Sequence, residues 1–219
     1  MFELNLIEFE EITVQATTEG RKYTTPEGNV YPSVTNVLSK TKDMTGLMEW
    51  RKAVGDEAAN REMNRAASRG NGLHLLCERF IQNEEIDLRH ELPVPVQLFT
   101  QLRPILKRFV NNIRGIESPL YSDFLKVAGR VDLIADFDGV RAIVDYKSSN
   151  NPKQKDWIED YFIQTSMYSV MFEERTKLPV PRLAILIANE TGGKPSVFVE
   201  KRDNFINKAI DRIHEYSRL

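Results

Sequence analysis

The strongest constraint in this chain is one dipeptide. Asp138-Gly139 lies between two runs of alternating apolar and polar residues, a setting in which Asp-Gly favours a two-residue hairpin turn because both central residues need positive φ. Phe137 then pairs with Val140, and each further pair has residue numbers summing to 277, which sets Asp132 opposite Asp145 and Arg130 opposite Lys147 on one face. The other face holds Val131, Leu133, Ala135 and Phe137 against Val140, Ala142, Val144 and Tyr146, a core surface. Directly opposed carboxylates stand about 5 Å apart at Cβ and repel unless a cation lies between them. Two carboxylates suit Mg²⁺ or Mn²⁺, which keep several waters and can hold a phosphate oxygen beside a nucleophile. Lys147, two residues beyond Asp145 on the same face, would point at that phosphate and stabilise negative charge or orient water. A solvent-facing hairpin with surface ion pairs is the plain alternative. Ala142-Ile-Val144 before Asp145 and Tyr146 after it argue against that alternative, because they read as a buried central strand where unpaired charge is costly.

Around the hairpin the periodicity outlines a mixed α/β chain. Residues 1–32 combine short alternating stretches with Gly20, Pro26, Gly28 and Pro32, which suggests a small strand pair or an irregular lead-in. Ser33 caps a short helix, VTNVLSKT. Helical patterns follow over about Thr45–Ser68, Leu73–Gln82 and Val96–Gly115, with Arg69-Gly-Asn-Gly72 expected to break the first from the second. Strands are expected over Glu117–Phe124, Lys126–Phe137 and Val140–Lys147, then a long helix over Lys155–Glu174. Two more strands, Arg182–Ala188 and Ser196–Glu200, precede a closing helix over Asn204–Tyr216. This order implies a mixed central sheet flanked by helices. We expect one domain over 1–219: an N-terminal lead-in and helical region over 1–115, and a sheet core over 116–219.

Composition narrows the chemistry. The 30 basic and 32 acidic residues leave a net charge of −2, so no overall field recruits nucleic acid and any contact must come from a local cationic groove. The single cysteine, Cys77, cannot hold an iron–sulfur cluster or a four-cysteine zinc site. A reducing compartment fits it. The start carries Glu3, Glu8, Glu10 and Glu11 with no Lys or Arg, unlike a transit or secretory signal, so a cytoplasmic location is expected ahead of a mitochondrial one. No apolar run reaches membrane-spanning length.

Beyond the hairpin, the motifs resemble a known group of enzymes. Gly129-Arg-Val-Asp132 followed by Asp145-Tyr-Lys147-Ser-Ser is similar to motifs II and III of the PD-(D/E)XK nuclease superfamily, with Val131 where the family has proline. Gln164-Thr-Ser-Met-Tyr168 resembles the Q-x-x-x-Y motif of its RecB-like branch, and His74 the upstream histidine of that branch. Tyr31-Pro-Ser33-Val-Thr35, with Arg69-Gly-Asn-Gly-Leu-His74 after it, looks closest to the mitochondrial genome maintenance exonuclease group and its phage relatives. The resemblance covers roughly residues 31 to 175.

The resemblance implies a restriction-endonuclease-like fold and a Mg²⁺ or Mn²⁺ site formed by Asp132, Asp145, His74 and the Tyr146 carbonyl. Lys147 acts beside it, and an imidazole ligand would favour manganese. Ser33, Thr35, Arg130, Ser148, Gln164 and Tyr168 are the implied DNA contacts. Glu78 and Glu117 read as residues behind the ligands or as surface carboxylates, and His90 and His214 as structural. The implied activity is exonucleolytic hydrolysis from free ends of single-stranded DNA. A structure-specific endonuclease of the same fold, a noncatalytic DNA-binding relative and a small-molecule phosphohydrolase remain open. No phosphate-binding loop of an ATPase is present, so the chain has no motor of its own.

Overall fold

The computed structural model describes residues 1–219. Three short antiparallel strands, β1 (Thr13–Thr17), β2 (Gly20–Thr24) and β3 (Val30–Pro32), open the chain as a separate small sheet. Ser33 then caps α1 (Val34–Lys40) as expected, its hydroxyl accepting from the Asn36 amide at 3.0 Å. Helices α2 (Thr45–Val54), α3 (Asp56–Ile81) and α4 (Pro93–Phe109) follow, and no helix is long and apolar enough to cross a membrane. The second sheet holds β4 (Val110–Ser122), β5 (Val127–Phe137), β6 (Val140–Ser149), β7 (Arg182–Asn189) and β8 (Ser196–Lys201), side by side in chain order. Only β6 and β7 are parallel, and α5 (Glu159–Thr176) makes the crossover between them. Helix α6 (Ile206–Tyr216) closes the chain.

Helices cover both faces of this mixed sheet, which accounts for the nearly continuous apolar runs of β6 and β7. On one face, Ile134, Ile143 and Ile185 pack against Phe162, Met167 and Phe172 of α5. On the other, Leu133, Ala135, Val144 and Leu186 pack against Leu73 and Leu76 of α3 and Leu98 and Leu102 of α4. The free edge of β4 is covered by the N-terminal residues, whose Asn5 and Ile7 amides donate to Ile113 and Arg114 carbonyls at 2.8 Å. The small sheet sits beside the far end of β5, with Ile12 and Tyr23 against Tyr121 and Ala128.

The structure departs from the sequence reading at several boundaries. The helical break falls at Gly55 (φ 85), and α3 runs without interruption through Arg69-Gly-Asn-Gly72. Gly72 serves contact: a Cβ there would lie 2.5 Å from the Pro95 ring, so the missing side chain lets α4 approach α3. Helix α4 ends at Phe109, and residues 110–115, expected as helix, belong to β4 because pairing with β5 outweighs local periodicity.

The hairpin register is as expected from Phe137↔Val140 to Leu133↔Val144, and Asp138 and Gly139 have φ of 51° and 73°. There the ladder stops, so Asp132 with Asp145 and Arg130 with Lys147 are not ladder pairs. The core face also changes. Val127 and Val131 pack on the α5 side, whereas Leu133, Ala135 and Phe137 pack on the α3 side. On β4, Leu120 and Ile116 divide between the same two cores. Both strands therefore turn over at the level of Glu117 and Asp132, where Glu117 has a φ of 45° that an extended strand does not allow.

Candidate functional site

The turn-over of β4 and β5 creates the site. It aims Glu117 and Asp132 toward one point, and α3 crossing the sheet brings His74 to the same place. A carboxylate oxygen of each acid and a ring nitrogen of His74 all lie within 4.8 Å of one another. His74 Nδ1 is 3.4 Å from Asp132 Oδ1 and 3.9 Å from Glu117 Oε1. Its Nε2 lies 2.8 Å from the Tyr146 carbonyl, and donating there orients the ring and leaves Nδ1 toward the acids. Asp132 accepts the Tyr146 amide proton at 2.9 Å, so its side chain replaces the missing rung of the hairpin ladder.

Asp145 sits deeper, 2% exposed, with Lys147 Nζ 2.5 Å from its Oδ2. Lys147 also lies 5.1 Å from the centre of the Tyr161 ring on α5. Burial raises Asp145 to about 6, against the pull of Lys147. Asp132 is less deeply enclosed, and His74 and Lys147 outweigh its burial and hold it below its ordinary value. Burial opposes charge on His74 too, yet Asp132 and Glu117 push the imidazole up to about 10. Lys147 is likewise raised, because Asp145 and Asp132 outweigh the burial that opposes its charge.

Two carboxylates and one imidazole thus converge beside one ammonium, with a third carboxylate, Asp145, buried beneath and paired with that ammonium. Oxygen donors with one nitrogen and no sulfur fit a hard divalent cation. The cluster opens into a cleft of about 520 Å³. One wall is the five-stranded sheet and α5, with Gly129, Arg130, Asp132, Lys147, Gln164 and Tyr168; the other is the small sheet and α1, with Ile12, Val14, Arg21, Tyr23, Ser33 and Thr35. Gly129 is required by the fit of α5 on β5 within the first wall, since a Cβ there would lie 2.7 Å from the Tyr168 hydroxyl.

A family model described as the PD-(D/E)XK nuclease superfamily matches residues 91–216, more than half of the chain. The chain belongs to the PD-(D/E)XK nuclease superfamily. Its mixed five-stranded sheet with flanking helices is consistent with the restriction-endonuclease-like fold of that superfamily. Among curated proteins it is 28% identical over 133 residues to the human (Homo sapiens) mitochondrial genome maintenance exonuclease 1, covering 57% of this chain and 38% of that protein. The Xenopus tropicalis protein of the same name is 22% identical over 202 residues, covering 85% of this chain and 57% of that protein. The chain therefore spans only part of these relatives' length. The solved structure of SSO0001 aligns at a TM-score of 0.38 with 13% identity, over 77% of this chain and 69% of that one, a likeness too slight to argue from.

Within this PD-(D/E)XK domain most of the residues picked from sequence meet at one place. His74, Asp132 and Lys147 share the cleft with Ser33, Thr35, Arg130, Gln164 and Tyr168. Three do not stand as the sequence suggested. Asp145 pairs with Lys147 beneath the cleft, and the Tyr146 carbonyl faces His74 Nε2. Ser148 turns toward α3, where its hydroxyl lies 3.2 Å from Nε of the buried Arg69, which also bonds Asn150 and Glu190 and so ties α3 to the end of β6. Conversely, Glu117 joins His74 and Asp132 although its sequence context reads as an ordinary strand, and Arg21 enters the cleft from a segment with no motif. Nothing local marks either. Glu78, one turn beyond His74, is raised above its ordinary value, first by burial and then by Glu117.

Proposed function

We propose that this chain is a metal-dependent deoxyribonuclease that hydrolyses phosphodiester bonds as an exonuclease on single-stranded DNA. The observation that carries this reading is the convergence of His74, Glu117 and Asp132 beside Lys147 in the cleft of a PD-(D/E)XK domain. His74 Nδ1 and the Glu117 and Asp132 carboxylates would hold a divalent cation, Mg²⁺ or Mn²⁺, with Asp145 as a further oxygen donor from below. When bound, the cation supplies positive charge against the phosphate and lowers the pKa of water.

The chain's own residues do the rest. The Tyr146 backbone fixes two ligands at once, donating its amide proton to Asp132 and accepting at its carbonyl from His74. The Lys147 ammonium, held by Asp145 and packed on Tyr161, stabilises charge developing on the phosphate oxygens as water adds and the P–O bond to the leaving strand breaks. Gln164 and Tyr168, four apart on α5, present polar groups along the same wall. The cleft lies within the usual size range of a small-ligand site, roughly 300 to 1,000 Å³. Its second wall, contributed by the N-terminal sheet, supports entry of a single strand by its end over docking along a duplex.

Single strands labelled at either end, compared with a circular single strand in Mg²⁺, Mn²⁺ or chelator, test the reading. Linear strands should be shortened only with metal while circles stay intact. Nicking of circles would replace the exonuclease with an endonuclease, and hydrolysis of free nucleotides alone would remove DNA as the substrate.

A further inference from the structure

Three cations line the cleft, and they differ in what holds them. Lys147 is paired with Asp145, and Arg130 donates to the Glu117 carbonyl at 2.6 Å. Arg21 has no acidic partner. Its only side-chain hydrogen bond is a long one, 3.4 Å, to the Thr35 hydroxyl. The next residue shows the contrast: Lys22, whose side chain leaves the other face of β2, is paired with Glu19 at 2.7 Å.

Although its charge is free, the Arg21 backbone is firmly held. Its carbonyl accepts from the Ser33 amide at 3.0 Å and lies 3.4 Å from the Asn36 side-chain amide. That Asn36 amide occupies the space a side chain at Gly20 would fill, so α1 and β2 are locked together at this point. On the same strand face, Tyr23 is buried against Tyr121 and Ala128, which aims Arg21 toward the catalytic sheet. Thr35 and Ser33 hydroxyls stand 3.1 Å apart beside it. A guanidinium fork with adjacent hydroxyls on a rigid base, facing a cleft and lacking a counter-ion, matches an oxygen-rich anion.

We propose that Arg21, with Thr35, is a phosphate contact of the bound strand on the wall built by the N-terminal sheet, and that it holds a linkage other than the one being cut. The inference rests on the nuclease reading and deepens it. A second anchor away from the cation ligands fixes which linkage lies over them, because the strand can no longer slide by a nucleotide.

The test uses the full chain in chelator, so that binding is read without cleavage. The probe is a fluorescent single-stranded oligothymidylate, either unmodified or carrying one uncharged methylphosphonate linkage moved stepwise along it. Arg21→Gln should weaken binding of the unmodified strand about tenfold and reduce the slope of log affinity against log salt by about 0.7. Arg21→Lys should recover part of the loss, and the melting temperature of both variants should match the parent. The decisive result is pairwise: the neutral linkage at one position should weaken the parent protein and cost Arg21→Gln nothing further. If every neutral position weakens parent and variant alike, or if Arg21→Gln binds as the parent does, the assignment of Arg21 is overturned while the nuclease reading stands. If the parent binds no single strand at all, both are overturned.

Discussion

The two ends of the β5–β6 hairpin carry an aspartate each in very different circumstances. Near the turn, Asp136 accepts from Asn112 at 2.9 Å and from Arg114 at 2.6 Å, and these partners outweigh partial burial to hold it below its ordinary value. At the open end, Asp145 is more deeply buried, has the Lys147 ammonium 2.5 Å from its Oδ2, and is raised to about 6. One strand pair thus holds one carboxylate met by an amide and a guanidinium and one met by an ammonium. The first strengthens the fold. The second stands beside further acids where the ladder has stopped, a setting that fits a bound cation.

Substitutions can break this contrast. The largest effect is expected from Lys147→Ala, which should lower the cleavage rate by about 10² to 10³ while single-strand binding in chelator persists. Retained cleavage would remove Lys147 from the chemistry. Next comes Glu117→Gln, which should weaken Mn²⁺ binding by about 10- to 100-fold in calorimetric titration with little change in melting temperature without metal. Unchanged affinity would return Glu117 to the surface role its sequence suggested.

At the turn end the readout reverses. Asp136→Asn leaves Arg114 without its ionic partner and should cost about 2 kcal/mol in urea unfolding, with activity per folded molecule unchanged. Lost activity without lost stability would erase the distinction between the ends.

The smallest and most discriminating effect is in pH. Because the Asp136 pKa is lowered on folding from its ordinary 3.8, its contribution is complete above that value and fades as pH falls through the lowered one. The penalty of Asp136→Asn should therefore be full at neutral pH and shrink in strong acid. Asp145, raised to about 6, has the opposite sign. Its charge costs stability above that pH, and the cost disappears as the pH drops toward 3.8. A penalty at Asp136 that grew on acidification would contradict the ion pair seen there.

Legibility in the sequence followed the range of the interaction. Asp138-Gly139 specified its own turn and hence five ladder pairs, Ser33 announced its helix, and Gln164 and Tyr168 shared a helix face by spacing alone. Each depends on backbone within a few residues. In Arg69-Gly-Asn-Gly72, Gly72 misled because its reason is the Pro95 ring of another helix, and Val110–Gly115 misled because its strand partners lie 19 to 27 residues on.

What the chain determined by itself was the hairpin, the order of elements and the identity of most cleft residues, since motif spacing and turn geometry are written in neighbouring side chains. Only the tertiary structure decided that Glu117 joins His74 and Asp132, that Asp145 lies below them with Lys147, and that the N-terminal sheet brings Arg21 across to form the second wall. Those outcomes depend on where two strands turn over and on which surfaces pack together, and such long-range burial leaves no periodic trace in the residues it moves.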